Sequence, residues 1–383
     1  MKKILLLICL FMFIPFIKAE DNTLTPNAKS SILIEASTGE IIYEFNSHEK
    51  REPASMTKMM SLLIIMESIE NKIINLNDII TVSENASNMG GSQILLEASE
   101  KMSVDDLLKG ITIASGNDAV VALAEAIAGT EENFVKMMND KVRKLGLKDT
   151  NFKNCHGLDE EGHYSSAYDM AHIAKELVKH QKILDYSKIY ETYLREGTDR
   201  KIWLVNTNKL VRFKEGVDGL KTGYTEGAGF CLTATMKKGD MRVIATVMGE
   251  PDSKVRNSEV SSMLDYAYAQ VGVKKVLSKD SVVKKVTLPK SKIDEVKIVP
   301  MEDVNIVYKK IDGEINPTYK VKLNEIKVPI KKGEKVGTLE VIENDKVIRT
   351  VNLTVMEDIE KCNIIELYLK NLKNIVSGNI SFN

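Results

Sequence analysis

The chain predicts an α+β fold in two folded parts, and three observations carry that expectation. Its 383 residues are more than one hydrophobic core usually holds. Helical periodicities fill most of residues 56–179 with strand-like segments on either side, the pattern of a sheet assembled from distant stretches. Beyond residue 272 the helices give way to short strand-like segments separated by turns. The composition fits globular parts: a hydrophobic fraction of 43% with only 8 prolines excludes a disordered or collagenous chain. A formal net charge of −1 offers no electrostatic case for nucleic-acid binding.

Taken in order, residues 31–36 and 41–45 alternate around Ser37-Thr38-Gly39-Glu40, which predicts an opening β-hairpin. Residues 56–69 are apolar on most sides, as a buried helix is. Helical patterns follow at 104–114, 118–128, 131–145 and 167–179. Strands are expected at 229–236 and 242–247, joined by the turn at 237–240, and a helix at 254–271. The second part carries expected strands at 281–288, 304–310, 319–323, 334–342 and 346–355. In the tail, Cys362, Ile365, Leu369, Leu372 and Val376 fall on one helical stripe opposite Glu366, Lys370 and Lys373. Such a stripe suits either a helix docked on its own protein or one lying on a membrane surface.

Lys2 and Lys3 precede an apolar run broken only by Pro15, with Ala19 before Glu20. This reads as a cleaved secretory signal over residues 1–19, the run being short for a retained membrane span. Cys9 leaves with it, and Cys155, Cys231 and Cys362 remain, an odd and widely spaced set that makes no disulfide framework. The expected division is therefore 1–19 signal, 20–272 first domain, 273–356 β-rich domain and 357–383 amphipathic tail. Export without crosslinks points to a bacterial cell envelope.

Ser55-Met56-Thr57-Lys58 stands where the buried helix begins. Positions i and i+3 share one helical face, so the Lys58 amine reaches the Ser55 hydroxyl, and a desolvated lysine is able to act as its base. Ser115-Gly116-Asn117 lies between two expected helices, and Lys221-Thr222-Gly223 directly precedes an expected strand. Each alone is ordinary cap or turn chemistry. In this order they resemble the three-motif signature of penicillin-binding proteins and serine β-lactamases, with Gly116 where class A β-lactamases carry Asp. The strings Ser83-Glu-Asn-Ala86, Gly90-Gly-Ser92, Cys155-His-Gly-Leu158 and Ala167-Tyr-Asp-Met170 narrow the resemblance to the low-molecular-mass D-alanyl-D-alanine carboxypeptidases over about residues 24–270. Residues 275–355 resemble that family's β-rich accessory domain.

The resemblance implies a β-lactamase/transpeptidase-like domain, an antiparallel sheet with helices on both faces and a helical subdomain, followed by a small all-β domain and the amphipathic helix. It implies Ser55 as nucleophile, Lys58 as general base and Ser115 as proton shuttle. Asn117, Lys221, Thr222, Gly223, Tyr224 and Arg256 would bind substrate, with Lys221 helping to depress the Lys58 pKa. The backbone N–H groups of Ser55 and Tyr224 would form the oxyanion hole. The Arg256 string is not distinctive, and a surface ion pair is an equal reading of it. The implied partners are the peptidoglycan pentapeptide, β-lactams as inhibitors and, weakly, a membrane surface through the tail. No cofactor is implied, and the five histidines have no ligand-spaced partners for a metal. Two rivals stand beside this reading. A β-lactamase would need a deacylating Glu-x-x-Leu-Asn string, whose nearest match, Glu191-Thr-Tyr-Leu-Arg195, ends in Arg. A non-catalytic wall-binding module would have no use for intact Ser55, Lys58, Ser115 and Lys221.

Overall fold

The computed structural model describes residues 24–376, so the expected signal segment lies outside the described residues. Strands β1 (Ser30–Glu35) and β2 (Ile41–Phe45) form the expected hairpin. They join β3 (Val217–Thr225), β4 (Gly229–Lys238) and β5 (Met241–Glu250) in a five-stranded antiparallel sheet of order β2-β1-β5-β4-β3. β1 lies against β5, with Ile32 opposite Thr246, so the two ends of the first domain close one sheet.

Side-chain alternation gives this sheet two buried faces. Ile32, Ile34, Ile244 and Met248 enter one core, while Leu33, Val243, Ala245 and Val247 enter the other. The first core holds α1 (Lys58–Glu70), α2 (Val104–Ile113), α3 (Asn117–Ala128), α4 (Glu131–Lys144) and α5 (Ala167–Leu177). The second is covered by α6 (Ser253–Gln270). Helix starts follow their capping residues: Ser103, Thr130, Ser166 and Asp252 each accept a backbone N–H from the first turn. Each such cap is worth about 1 kcal/mol.

α1 is apolar all round because it is enclosed; Met59, Met60 and every residue from Leu62 to Met66 are buried. Its expected first turn is a separate 3₁₀ turn, Ala54–Thr57, and the α-helix starts at Lys58. A second difference concerns Lys221-Thr222-Gly223, which lies inside β3 rather than before a strand. A lysine and a glycine at sheet positions gave no strand signal, although both are buried there. A short hairpin, Glu191–Leu194 with Ile202–Val205, was not foreseen.

The β-rich part begins with β6 (Val271–Leu277), which continues from the last residue of α6. It comprises β7 (Lys284–Val286), β8 (Val296–Pro300), β9 (Val304–Lys309), β10 (Thr318–Leu323), β11 (Gly337–Glu343) and β12 (Lys346–Val355). Five of these form an antiparallel sheet of order β7-β8-β12-β11-β10, and β6 pairs with β9. A final helix, α7 (Ile364–Val376), carries the tail stripe. Among the described residues no helix is long and apolar enough to cross a membrane.

Candidate active site

Ser55 sits in the 3₁₀ turn that leads into α1, and that turn is held from two sides. Gly157 packs on the Ala54 carbonyl so closely that a Cβ there would stand 1.9 Å from the oxygen. On the other side a Cβ at Gly223 would come within 2.8 Å of the Pro53 carbonyl. Ala54 itself adopts a φ of +47°. Strain of this kind persists only where packing enforces it.

Lys58 opens α1, and its side chain is fully buried. Its amine lies 2.9 Å from Ser55 Oγ, 2.6 Å from Asn117 Oδ1 and 2.7 Å from the His156 carbonyl oxygen. Burial pulls its pKa down to about 7, and the nearby Asp118 carboxylate acts in the opposite direction. Asn117 begins α3 and is fixed on three sides: its Oδ1 accepts from Lys58, its Nδ2 donates to the Gly90 carbonyl, and its backbone N–H donates to the Ser92 carbonyl. Asp118 anchors the same segment, its carboxylate accepting from the N–H groups of Ile94 and Leu96. Ser115, at a φ of +64°, is buried in the turn from α2 into α3, and its hydroxyl has no partner among the described residues.

On the opposite wall, Lys221 is buried in β3 and donates to the Thr222 carbonyl at 3.0 Å. Burial pushes its pKa well down, and the charges of Lys58 and Arg256 push it further. Repulsion between like charges is mutual, so an ammonium on either Lys58 or Lys221 disfavours one on the other. Lys58 has three polar neighbours within hydrogen-bonding distance, whereas one carbonyl serves Lys221. Thr222 donates to the Thr207 hydroxyl at 2.7 Å, and the exposed Tyr224 ring packs on Phe230 at a centroid distance of 4.3 Å.

Arg256 lies in the first turn of α6 and is buried, which removes the surface ion-pair reading. Its Nε and Nη2 donate to Asn257 Oδ1, and burial lowers its pKa from the ordinary guanidinium value. Direct hydrogen bonds therefore join Ser55, Lys58 and Asn117. Lys221 and Arg256 are coupled through charge, and Ser115 stands two residues before Asn117.

Two contributors were not read from the sequence. His156 matters through its carbonyl; its imidazole is kept neutral by burial and by Lys58, with a pKa of about 3, and its Nδ1 accepts from the Leu158 N–H. Thr207 matters as the acceptor for Thr222. The string Cys155-His-Gly-Leu158 was the available signal for the first, and nothing distinguished Thr207. The β-lactamase rival loses its deacylating group, because Glu191 is exposed on the short hairpin and Arg195 is paired with Glu100 at 2.6 Å. Among the described residues no three His, Cys, Asp or Glu side chains gather as a metal site.

The family model described as D-alanyl-D-alanine carboxypeptidase matches residues 17–252, and that described as penicillin-binding protein 5, C-terminal domain, matches residues 273–361. The chain is 48% identical over 343 residues to the D-alanyl-D-alanine carboxypeptidase DacF of Bacillus subtilis, covering 89% of this chain and 88% of that one. It is 33% identical over 363 residues to the D-alanyl-D-alanine carboxypeptidase DacC of Escherichia coli, covering 92% and 90%. Penicillin binding protein 5 from Haemophilus influenzae has the same fold, with a TM-score of 0.72 and 31% identity over 88% of this chain and 98% of that one. Penicillin binding protein 6B from Escherichia coli gives a TM-score of 0.67 at 31% identity, covering 87% and 98%. With the serine–lysine–asparagine contact set at its centre and both domains matched, the chain belongs to the D-alanyl-D-alanine carboxypeptidase family of serine peptidases.

Proposed function

We propose that this D-Ala-D-Ala carboxypeptidase works through an acyl-enzyme on Ser55, with Lys58 as its base. One observation carries the assignment: the Lys58 amine has three polar neighbours, two of which are carbonyl oxygens that only accept. A protonated amine donates to all three. A neutral amine has two N–H groups, which stay on Asn117 Oδ1 and the His156 carbonyl, and its lone pair is left facing the Ser55 hydroxyl. A pKa near 7 supplies that neutral form at working pH.

In the first half-reaction Ser55 Oγ attacks the carbonyl carbon of the penultimate D-alanine, and its proton passes to Lys58 Nζ. The oxyanion is taken by the backbone N–H groups of Ser55 and Tyr224. Lys58 passes the Ser55 proton on through Ser115, whose hydroxyl has no hydrogen-bond partner among the described residues, to the departing D-alanine amine as the C–N bond breaks, and Lys58 is neutral again. Water then attacks the ester, the neutral Lys58 accepts its proton and returns it to Ser55 Oγ as the ester C–O bond breaks, and the shortened peptide leaves. Asn117 and Thr222 hold the substrate amide and carboxylate, Lys221 and Arg256 supply positive potential, and Gly223 lets strand β3 approach the nucleophile turn. The test is incubation with a pentapeptide ending in D-Ala-D-Ala, following free D-alanine. Ser55→Ala should release none and should take no label from penicillin.

The protein acts outside the cytoplasmic membrane after export through residues 1–19, on the proposed division 20–272, 273–356 and 357–383. We propose further that α7 lies on the membrane surface. Its Ile365, Leu369 and Val376 are exposed, while Lys370 ties the helix to the β-rich domain through the Ser291 carbonyl and Asp294. Glu360 and Glu366 oppose anionic lipid, so binding should be weak and salt-sensitive. Vesicle co-sedimentation of the full chain beside one ending at Met356 tests this; equal partitioning would contradict it.

A further inference from the structure

Seven buried side-chain polar atoms lack a hydrogen-bond partner among the described residues, and three of them belong to two carboxyl groups. They are Oε1 and Oε2 of Glu250, the last residue of β5, and Oε2 of Glu259 in α6. Glu250 is 1% exposed and Glu259 6%. The Glu259 carboxyl is close enough to Glu250 to act on its charge. Glu259 has donors for its other oxygen, the backbone N–H and side-chain amide of Asn27 at 3.1 and 2.6 Å, and Glu250 has none.

Two ionised carboxylates would leave all three oxygens without donors. A single proton changes this, because an O–H on Glu250 donating to Glu259 Oε2 satisfies two of them at once. We infer that Glu250 and Glu259 hold one proton between them, and that the neutral Glu250 carboxyl leaves the charge of the Arg256 guanidinium, whose hydrogen bonds among the described residues go only to the uncharged Asn257 Oδ1 and Cys231 carbonyl, uncompensated for a ligand carboxylate. The second clause rests on the proposed contact between Arg256 and the terminal carboxylate of the peptide.

The charged surroundings are consistent with it. From α6 and its cap, Glu259, Arg256 and Asp252 act on Glu250, and Asp252 is engaged with the N–H groups of Lys254 and Val255. Beside the preceding Gly249 lie Lys29 and Arg51, the latter bound to Glu49. Burial first, then Glu259, pushes the Glu250 pKa up to about 9. Arg256 pulls the other way but is not hydrogen-bonded to Glu250; its Nε and Nη2 donate to Asn257 Oδ1 and its Nη1 to the Cys231 carbonyl at 3.5 Å.

Glu250→Gln is the deciding variant, since its amide donates to Glu259 at every pH. A raised carboxyl pKa contributes stability that is present below the ordinary carboxylate value and is lost as pH rises through about 9. The thermal midpoint of the wild-type protein should therefore fall relative to Glu250→Gln between pH 6 and 9.5. Comparing the two proteins cancels the titrations of Lys58 and Lys221. At pH 7 the variant should keep kcat/KM within about twofold on the pentapeptide. By pH 10 the wild-type KM should rise relative to the variant by on the order of fivefold, as Glu250 ionises and claims Arg256. Parallel midpoint profiles would overturn the shared proton. Diverging midpoints with identical KM profiles would overturn the link to Arg256, and D-alanine release at pH 7 reports separately on the carboxypeptidase assignment.

Discussion

The Lys58 amine meets Asn117 Oδ1 at 2.6 Å across 59 positions of sequence, joining the first helix of the core to the turn that opens α3. The proposed base of Ser55 and the residue proposed to hold the substrate amide thus share one hydrogen bond. A change at either is felt at the other.

Asn117→Asp tests that coupling. A carboxylate in place of Oδ1 favours the ammonium form of Lys58, so a larger part of the enzyme is protonated at neutral pH. The acid limb of kcat/KM should move up on the order of one pH unit from its position near 7. A pH–rate profile with an unmoved limb would separate Lys58 from that limb.

In the wild-type enzyme kcat/KM should rise with pH through about 7, because the depressed Lys58 pKa makes the neutral base available above it. Lys58→Arg should lower it by about 10²–10⁴-fold, the loss expected when a general base is removed, since a guanidinium stays protonated. Stopped-time D-alanine assays across pH 5–9 check both.

Gly157→Ala should displace the nucleophile turn. The added Cβ would stand 1.9 Å from the Ala54 carbonyl, at a backbone φ of +91°. The strained backbone alone costs about 1–3 kcal/mol. A lowered thermal midpoint together with slower penicillin labelling is the expected outcome, and an unchanged labelling rate would contradict the clamp.

The β-lactam acyl-enzyme should hydrolyse slowly while the peptide acyl-enzyme turns over. Glu191 is exposed on its hairpin and supplies no deacylating carboxylate, and an opened β-lactam stays tethered where D-alanine would have left. A loss of 10³ in rate needs only about 4 kcal/mol in the barrier. Nitrocefin turnover faster than D-alanine release would reverse this reading.

Side-chain chemistry was legible in the sequence, and backbone chemistry was not. The i,i+3 spacing of Ser55 and Lys58 anticipates their contact, and the motif holding Asn117 supplies the third member of the hydrogen-bonded set. The His156 carbonyl and the Gly157 clamp leave no residue-type signature, because every residue has a carbonyl and glycine serves many turns. In the β-rich domain, β6 carries little strand signal because it follows α6 with no intervening loop and its valines are interrupted by Gly272 and by Lys274 and Lys275. The Lys221 strand was misplaced for the converse reason, its buried lysine being a residue that propensity assigns to the surface.

Mass spectrometry of the reaction with a D-Ala-D-Ala pentapeptide, quenched in acid during turnover, tests the central claim most directly. The mechanism predicts free D-alanine together with an ester adduct of the shortened peptide on the fragment that carries Ser55. D-alanine released with the adduct on another residue, or by the Ser55→Ala protein at the wild-type rate, would contradict it.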